Sequence, residues 1–180
     1  MRGLVLSVVV VSTCLFGQNG PYQNKLSPYV ASPPRVVTQM LEMASLKPGE
    51  TLYDLGCGDG RILIAAVENY KVKAVGVEIS PKLVEAATAR VQKAGLTSEV
   101  RIIQGDLLEV DLSAADAVAI YLSTPLNEQL RPRLEKYLKP GARVVSHDYA
   151  IRGWKPTKIQ LTDDLRKHHI YLYEMPPVKE

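Results

Sequence analysis

Two hydrophobic periods alternate along this chain. Short continuous apolar runs, typical of strands buried on both faces, are separated by segments that repeat apolar residues every three or four positions, as amphipathic helices do. The pattern predicts strands at 51–55, 72–78, 100–104, 115–122 and 142–147, and helices at 33–46, 60–69 and 80–95. Alternation of strand and helix predicts a mostly parallel sheet with helices on both faces.

A fourth helix is predicted after the strand at 115–122, with Ser123 or Thr124 as its cap and Pro125 in its first turn. Its apolar face is formed by leucines, namely Leu126, Leu130, Leu134 and Leu138. Pro132 lies inside this segment, where a proline removes a backbone hydrogen bond and clashes with the preceding turn. We therefore expect a kink or two short helices here.

Two closing strands are predicted at 158–161 and 168–174, joined by a turn at 162–164. A hairpin at this point would make the last strand antiparallel. The predicted fold class is a doubly wound α/β domain over residues 33–176. In such sheets the ligand lies at the carboxyl ends of the parallel strands.

The first strand leads into a glycine-rich turn with the sequence Asp-Leu-Gly-Cys-Gly-Asp-Gly-Arg over residues 54–61. Its glycines, Gly56, Gly58 and Gly60, do not fit the dinucleotide fingerprint, which requires glycine at the position of Arg61. Asp54 and a second acid inside the turn would repel a pyrophosphate. They suit a ligand that carries an ammonium and a sulfonium and no phosphate, which describes S-adenosylmethionine (SAM). The turn resembles the glycine-rich motif of class I SAM-dependent methyltransferases.

Two further acids follow the next two predicted strands. Glu78 ends the second strand, where an acid about 20 residues beyond the glycine turn can accept hydrogen bonds from both ribose hydroxyls. Asp106 follows the third strand and is placed to accept from the adenine amine. Either acid alone would more often be a charge at a helix N-terminus. Three acids at three successive strand ends favour a cofactor site.

Length and composition restrict the function further. The chain has 180 residues, 46% hydrophobic and 23% charged, which suits one α/β domain. Its 22 basic and 19 acidic residues are dispersed, so we expect no nucleic-acid partner. Cys57 is interpreted as a small residue that the turn tolerates, not as a nucleophile. No metal-ligand spacing is present, and the adjacent His168 and His169 are expected to be ordinary sheet residues.

The amino-terminal residues differ from the rest. Arg2 precedes an apolar run over residues 4–16, and a glycine-containing polar stretch follows. This pattern predicts a signal peptide or membrane leader over residues 1–18, followed by a linker over 19–32. We expect export to the periplasm or cell envelope, with a cytoplasmic or membrane-anchored protein as the alternative. Export conflicts with the cofactor, because SAM is made in the cytoplasm.

Several segments resemble the archaeal broad-specificity protein lysine methyltransferases and the mitochondrial lysine methyltransferases tethered to the inner membrane. They are the glycine turn and residues 27–37, 130–134, 138–148 and 151–156. The resemblance implies a seven-stranded sheet with an antiparallel last strand, SAM as donor and a lysine ε-amine of a protein or peptide as acceptor. It also implies that Tyr29 and Val30 cover the edge of the cofactor.

Methyl transfer from a sulfonium to an amine needs the acceptor positioned in line and little covalent help. Tyr121, after the fourth strand, and His147, at the end of the fifth, are the candidate catalytic residues. Tyr121 could equally be an aromatic residue that packs at a strand end, and His147 could equally cap a turn. The strand-four end lacks the Asp/Asn-Pro-Pro-aromatic stretch of nucleic-acid amino-methyltransferases. A small-molecule methyltransferase and a SAM-binding protein without catalysis remain the alternatives. Oligomeric state is left open.

Overall fold

The computed structural model describes residues 29–162 and 166–180. Nine strands are present in these ranges: β1 (Thr51–Leu55), β2 (Lys73–Glu78), β3 (Val100–Gln104), β4 (Ala117–Ile120), β5 (Arg143–His147), β6 (Trp154–Lys155), β7 (Lys158–Leu161), β8 (His169–Glu174) and β9 (Val178–Lys179). The helices are α1 (Pro34–Ala44), α2 (Arg61–Tyr70), α3 (Pro81–Lys93) and α4 (Thr124–Tyr137). Seven strands form one sheet in the order β3-β2-β1-β4-β5-β8-β7, and β6 pairs with β9.

The main sheet confirms the predicted fold class. Strands β1 to β5 pair in parallel, and β8 is antiparallel to both β5 and β7. Leucines of α4 pack with Val118 and Ile120 on one face, while α1 and α2 pack on the other face with Ala117 and Ala119. All four residues of β4 are buried, because a central parallel strand is covered by helices on both sides. Successive side chains of one strand therefore belong to two different cores.

Helix α4 runs without interruption through Pro132, so of the two expected outcomes the pair of short helices is wrong, and the kink stays a prediction. Because proline has no N–H, the carbonyl of Glu128 loses the backbone donor that residue 132 would supply. Both residues lie on the exposed face of the helix. Water can therefore solvate that carbonyl. The opposite face is held by Leu126, Leu130 and Leu134, which are almost completely buried. Each such side chain contributes roughly 1.5–3 kcal/mol on burial, and together they offset the cost of the proline.

The small β6–β9 sheet was not predicted from the hydrophobic pattern. Its two-residue strands are too short to show a period. Trp154 on β6 is buried, donates from Nε1 to Glu135 Oε1 at 2.7 Å, and packs edge-on against Tyr173 with ring centroids 5.5 Å apart. The sheet therefore closes over the end of the α4 side of the core.

Other predicted boundaries differ by one or two residues. Strand β4 is two residues shorter at each end than predicted, because the Ala115 N–H donates to the Leu112 carbonyl in a turn at 3.0 Å. Of the predicted turn at 162–164, only Thr162 lies within the described residues. The predicted leader, residues 1–18, lies outside them. Within the described ranges, no helix combines the length and apolar character needed to cross a bilayer.

Candidate active site

A cavity of about 420 Å³ opens at the carboxyl ends of β1, β2 and β4 and the loop after β3. Parallel strands end at the same edge of a sheet, so residues far apart in sequence meet there. The cavity wall contains every predicted cofactor residue except Gly60, together with Tyr121. Its size is within the range usual for small-molecule and cofactor sites.

The glycine turn has a backbone conformation that residues with a side chain rarely adopt. Gly58 (φ 54°) and Gly60 (φ 76°) both lie in the left-handed region. A Cβ on Gly58 would overlap the ring of Tyr29, and a Cβ on Gly60 would be 3.3 Å from that of Ala87 on α3. The N–H groups of Gly56 and Cys57 donate to the Val77 carbonyl at 2.8 and 3.0 Å, which fixes the turn to β2. The turn thus presents bare backbone to the cavity.

Asp54 lies at the bottom of the cavity with 2% of its surface exposed. Its Oδ2 has no hydrogen-bond partner among the described residues. Burial, and then the nearby charges of Glu78 and Asp59, raise the pKa of Asp54 to about 8. A buried carboxyl with an unused oxygen is suited to a cationic group that enters the cavity.

Glu78 and Asp106 lie on the same wall as Asp54, as expected. The buried Glu78 accepts the Gly58 N–H at Oε2 (3.0 Å) and the Ser80 N–H at Oε1 (2.9 Å). Asp106 is half-buried and accepts the Leu108 N–H at Oδ1, 2.8 Å away. A carboxylate oxygen has more than one acceptor direction, so both side chains can still accept bonds from a ligand. The backbone bonds orient them in advance.

Asp59, the second acid of the turn, has a different role from the one expected. It does not offer free negative charge to the ligand, because Arg61 donates to it from Nε at 2.9 Å and from Nη2 at 2.8 Å, and Arg90 forms a further ion pair. The hydrogen bond from Arg61 is the main cause that holds the pKa of Asp59 below its usual value. Sequence spacing could not reveal Arg90, which comes from α3.

Residues 29–32 lie over the glycine turn, so the described end of the predicted linker is part of the cavity wall. Tyr29 and Val30 are about half exposed, and the ring of Tyr29 lies against Gly58. Arg61 Nη1 donates to the Ser32 carbonyl at 2.9 Å. The same arginine thus neutralises Asp59 and holds the amino-terminal segment over the site.

The two candidate catalytic residues are neighbours but occupy different positions. Tyr121 lines the cavity, whereas His147 is completely buried behind it and is not part of the wall. Their ring centroids are 3.8 Å apart. Any acceptor in the cavity would meet Tyr121 first. Cys57 is buried too, and burial raises the pKa of its thiol, which disfavours the reactive thiolate.

The ANTKMT methyltransferase domain matches residues 54–158, which is more than half of the chain. The chain belongs to this methyltransferase family.

Similar proteins agree with the ANTKMT assignment. The chain is 49% identical over 148 residues to a protein-lysine N-methyltransferase of Saccharolobus islandicus (strain REY15A). The match covers 81% of this chain and 92% of that protein. It is 34% identical over 132 residues to the adenine nucleotide translocase lysine N-methyltransferase of Mus musculus. That match covers 73% of this chain and 57% of the mouse protein.

The crystal structure of an RNA methyltransferase from Salinibacter ruber in complex with S-adenosyl-L-homocysteine has a TM-score of 0.78 to this chain. The two are 41% identical over 82% of this chain and 94% of that one. The ANTKMT-family chain is therefore a SAM-dependent methyltransferase with a class I fold, and SAM is its cofactor. The unused Asp54 oxygen and the bare glycine turn fit that cofactor.

Proposed function

We propose that this enzyme methylates lysine ε-amines of a protein or peptide. The observation that carries the proposal is the 49% identity to a protein-lysine N-methyltransferase over 92% of that protein's length. The similarity to a mouse lysine N-methyltransferase supports the same acceptor.

Each acid has a proposed task toward the cofactor. Asp54 receives the α-ammonium, because it is buried and has an unused oxygen. Glu78 accepts from the ribose hydroxyls and Asp106 from the adenine amine, in line with their order along the sheet edge. Gly56 and Gly58 line the cavity and let the ligand approach the backbone closely, whereas Gly60 lets α3 pack close to the turn. Tyr29 and Val30 cover its outer edge.

SAM supplies an electrophilic methyl carbon bonded to a positively charged sulfur. The protein's contribution is to bring a neutral amine to about 3 Å from that carbon and to hold it in line. An apolar environment lowers the pKa of a lysine, because it removes water from the charged ammonium form. Tyr121 is the group proposed to contact the acceptor, since it lines the cavity and rests on the buried ring of His147.

The test is incubation of the full chain with methyl-labelled SAM and an extract that contains proteins, RNA and small metabolites, followed by mass spectrometry. Methyl-lysine in specific peptides is expected. The label must disappear with Asp54→Asn and remain with Asp111→Asn, an exposed acid outside the cavity wall. Labelled RNA or labelled small molecules without labelled peptides would contradict the lysine proposal. SAM binding without any product would indicate a binding protein.

We also propose export to the cell envelope, on the basis of the apolar run over residues 4–16 after Arg2. The test is cell fractionation combined with intact-mass measurement of the recovered protein. A shortened chain in the envelope fraction is expected. A full-length chain in the cytoplasmic fraction would contradict export and would remove the conflict with the supply of SAM.

A further inference from the structure

Three donor atoms converge beside the cavity. They are Nε2 of His147 at the end of β5, Oδ2 of Asp148, and Nδ1 of His168 just before β8. The two ring nitrogens are 3.0 Å apart, and the carboxylate oxygen is 2.9 Å from His168 and 3.4 Å from His147. The antiparallel pairing of β5 with β8, with His147 opposite Ile170, produces this meeting.

The triangle has the dimensions of a metal coordination face. Ligand atoms bound to zinc at about 2.0–2.1 Å are about 3.3–3.4 Å apart when tetrahedral and about 2.8–3.0 Å apart when octahedral. The observed edges of 2.9 to 3.4 Å fall in that range. Two histidines and one carboxylate on one face form an established ligand set for divalent transition metals that leaves further positions open to water. Asp148 and His168 are partly exposed, which gives an ion a route in.

A single proton on His168 Nδ1 cannot serve both of its neighbours in the cluster. His168 Nδ1 lies within hydrogen-bond distance of both His147 Nε2 and Asp148 Oδ2, and one ring nitrogen can carry a single proton. That proton can align well with only one of the two acceptors. A cation placed between the three atoms accepts a lone pair from each.

The surrounding contacts orient the donors as they would around a metal. Ser32 Oγ is 2.9 Å from His147 Nδ1, and the tautomer with its proton on Nδ1 directs the Nε2 lone pair toward His168 and Asp148. Asp148 Oδ1 accepts the backbone N–H of His169 at 3.0 Å, which directs Oδ2 toward the histidines. Asp148 also adopts a left-handed backbone (φ 58°), in which aspartate and asparagine are found more often than most other residues with a side chain.

We propose that His147, Asp148 and His168 bind one divalent transition-metal ion, with zinc the best match to the ligand set. The ion lies outside the cofactor cavity and acts as a positioning element. It fixes His147, which carries the ring of Tyr121 on one side and contacts Ser32 on the other. Both of those residues line the cavity.

The test is titration of untagged full chain, stripped with a chelator, with zinc and separately with cobalt(II). One ion per chain is expected, together with visible cobalt absorption bands that zinc removes. His168→Ala is expected to weaken zinc binding by about 100-fold or more, and Ser32→Ala by about tenfold. His169→Ala is the matched control, since this exposed neighbour points away from the cluster, and it should bind as the wild type does.

A second readout guards against variants that fold poorly. Zinc is expected to raise the melting temperature of the wild type and His169→Ala by several degrees, and to leave that of His168→Ala unchanged. Asp148→Asn, which tolerates the same backbone, should lose the cobalt bands while keeping its far-ultraviolet circular dichroism. Absence of stoichiometric zinc binding, or binding unaltered by His168→Ala, would overturn the proposal. None of these measurements depends on methyl transfer, so they fail or succeed independently of the lysine proposal.

Discussion

Asp54 shows how one residue can link cofactor binding to protonation. The carboxyl is buried beneath the cavity, and its pKa is raised to about 8 chiefly by loss of water. At neutral pH the group is therefore mostly protonated in the absence of a cation. A positively charged ligand beside it favours the ionised form and reverses that shift.

The first prediction concerns the stability of the cofactor-free protein. Asp54 has a higher pKa when folded than when unfolded, so its stabilising contribution is complete below about pH 4 and is lost as the pH rises toward 8. The loss is at most about 1.4 kcal/mol for each pH unit in that window. Urea unfolding at several pH values between 5 and 8 measures this loss. The free energy of unfolding should fall less steeply with pH in Asp54→Asn than in the wild type. Equal slopes in the two proteins would show that Asp54 is not the group responsible.

The second prediction concerns cofactor binding at the same residue. If the α-ammonium of SAM pairs with Asp54, binding below pH 7 should release about one proton per site, because the carboxyl must ionise. Isothermal titration calorimetry in buffers of different ionisation enthalpy counts that proton. Asp54→Asn should bind weakly and release none. Asp111→Asn should behave as the wild type, and proton release retained in Asp54→Asn would point to another group.

Helix α4 shows that packing can maintain a helix through a residue that locally disfavours it. A proline in mid-helix predicts a break, yet the buried leucine face on one side and water on the other keep the helix whole. The cost of Pro132 is not removed; it is offset by packing. The helix therefore carries strain that a substitution can release.

The third prediction follows from that strain. Pro132→Ala restores an N–H that can donate to the Glu128 carbonyl, and it should stabilise the protein by about 1–2 kcal/mol after allowing for the more flexible unfolded chain. Thermal unfolding measures the change as a rise in melting temperature. Pro140→Ala, in the turn beyond the helix, is the control and should not stabilise. A lower melting temperature for Pro132→Ala would mean that the proline is required for the shape of α4.

Local patterns predicted most elements because each depends on neighbours in sequence. The bounds of β1, β3 and β7 agree with the prediction, and three acids lie at one sheet edge because parallel strands place their carboxyl ends together. What sequence could not give depends on distant contacts. The pairing of Asp59 with Arg90 requires α3 to pack against the glycine turn, and the meeting of His147 with His168 requires the β5–β8 register.

At the scale of the whole molecule, the amino-terminal segment joins parts of the fold that are otherwise separate. Ser32 contacts Arg61 at the start of α2 through its carbonyl and His147 at the end of β5 through its hydroxyl. Tyr29 packs on the glycine turn. The cavity is therefore completed by a segment that lies outside the sheet and its helices.

The fourth prediction tests this covering segment. Tyr29→Ala removes the ring over Gly58 and should weaken SAM binding about tenfold, or about 1.4 kcal/mol, by exposing one edge of the ligand to water. Tyr29→Phe keeps the ring and should bind nearly as tightly as the wild type. Calorimetric dissociation constants for the two variants decide the matter. Equal affinities for Tyr29→Ala and the wild type would show that the segment does not cover the cofactor.

Trp154 has a practical consequence for all of these experiments. It is the single tryptophan of the chain, and its side chain, on β6, is buried against Tyr173 and does not line the cavity. Its emission maximum should lie at short wavelength in the folded protein and shift to longer wavelength on unfolding. Ligands in the cavity should leave the emission almost unchanged. The enzyme thus carries an intrinsic optical reporter that separates loss of structure from loss of binding.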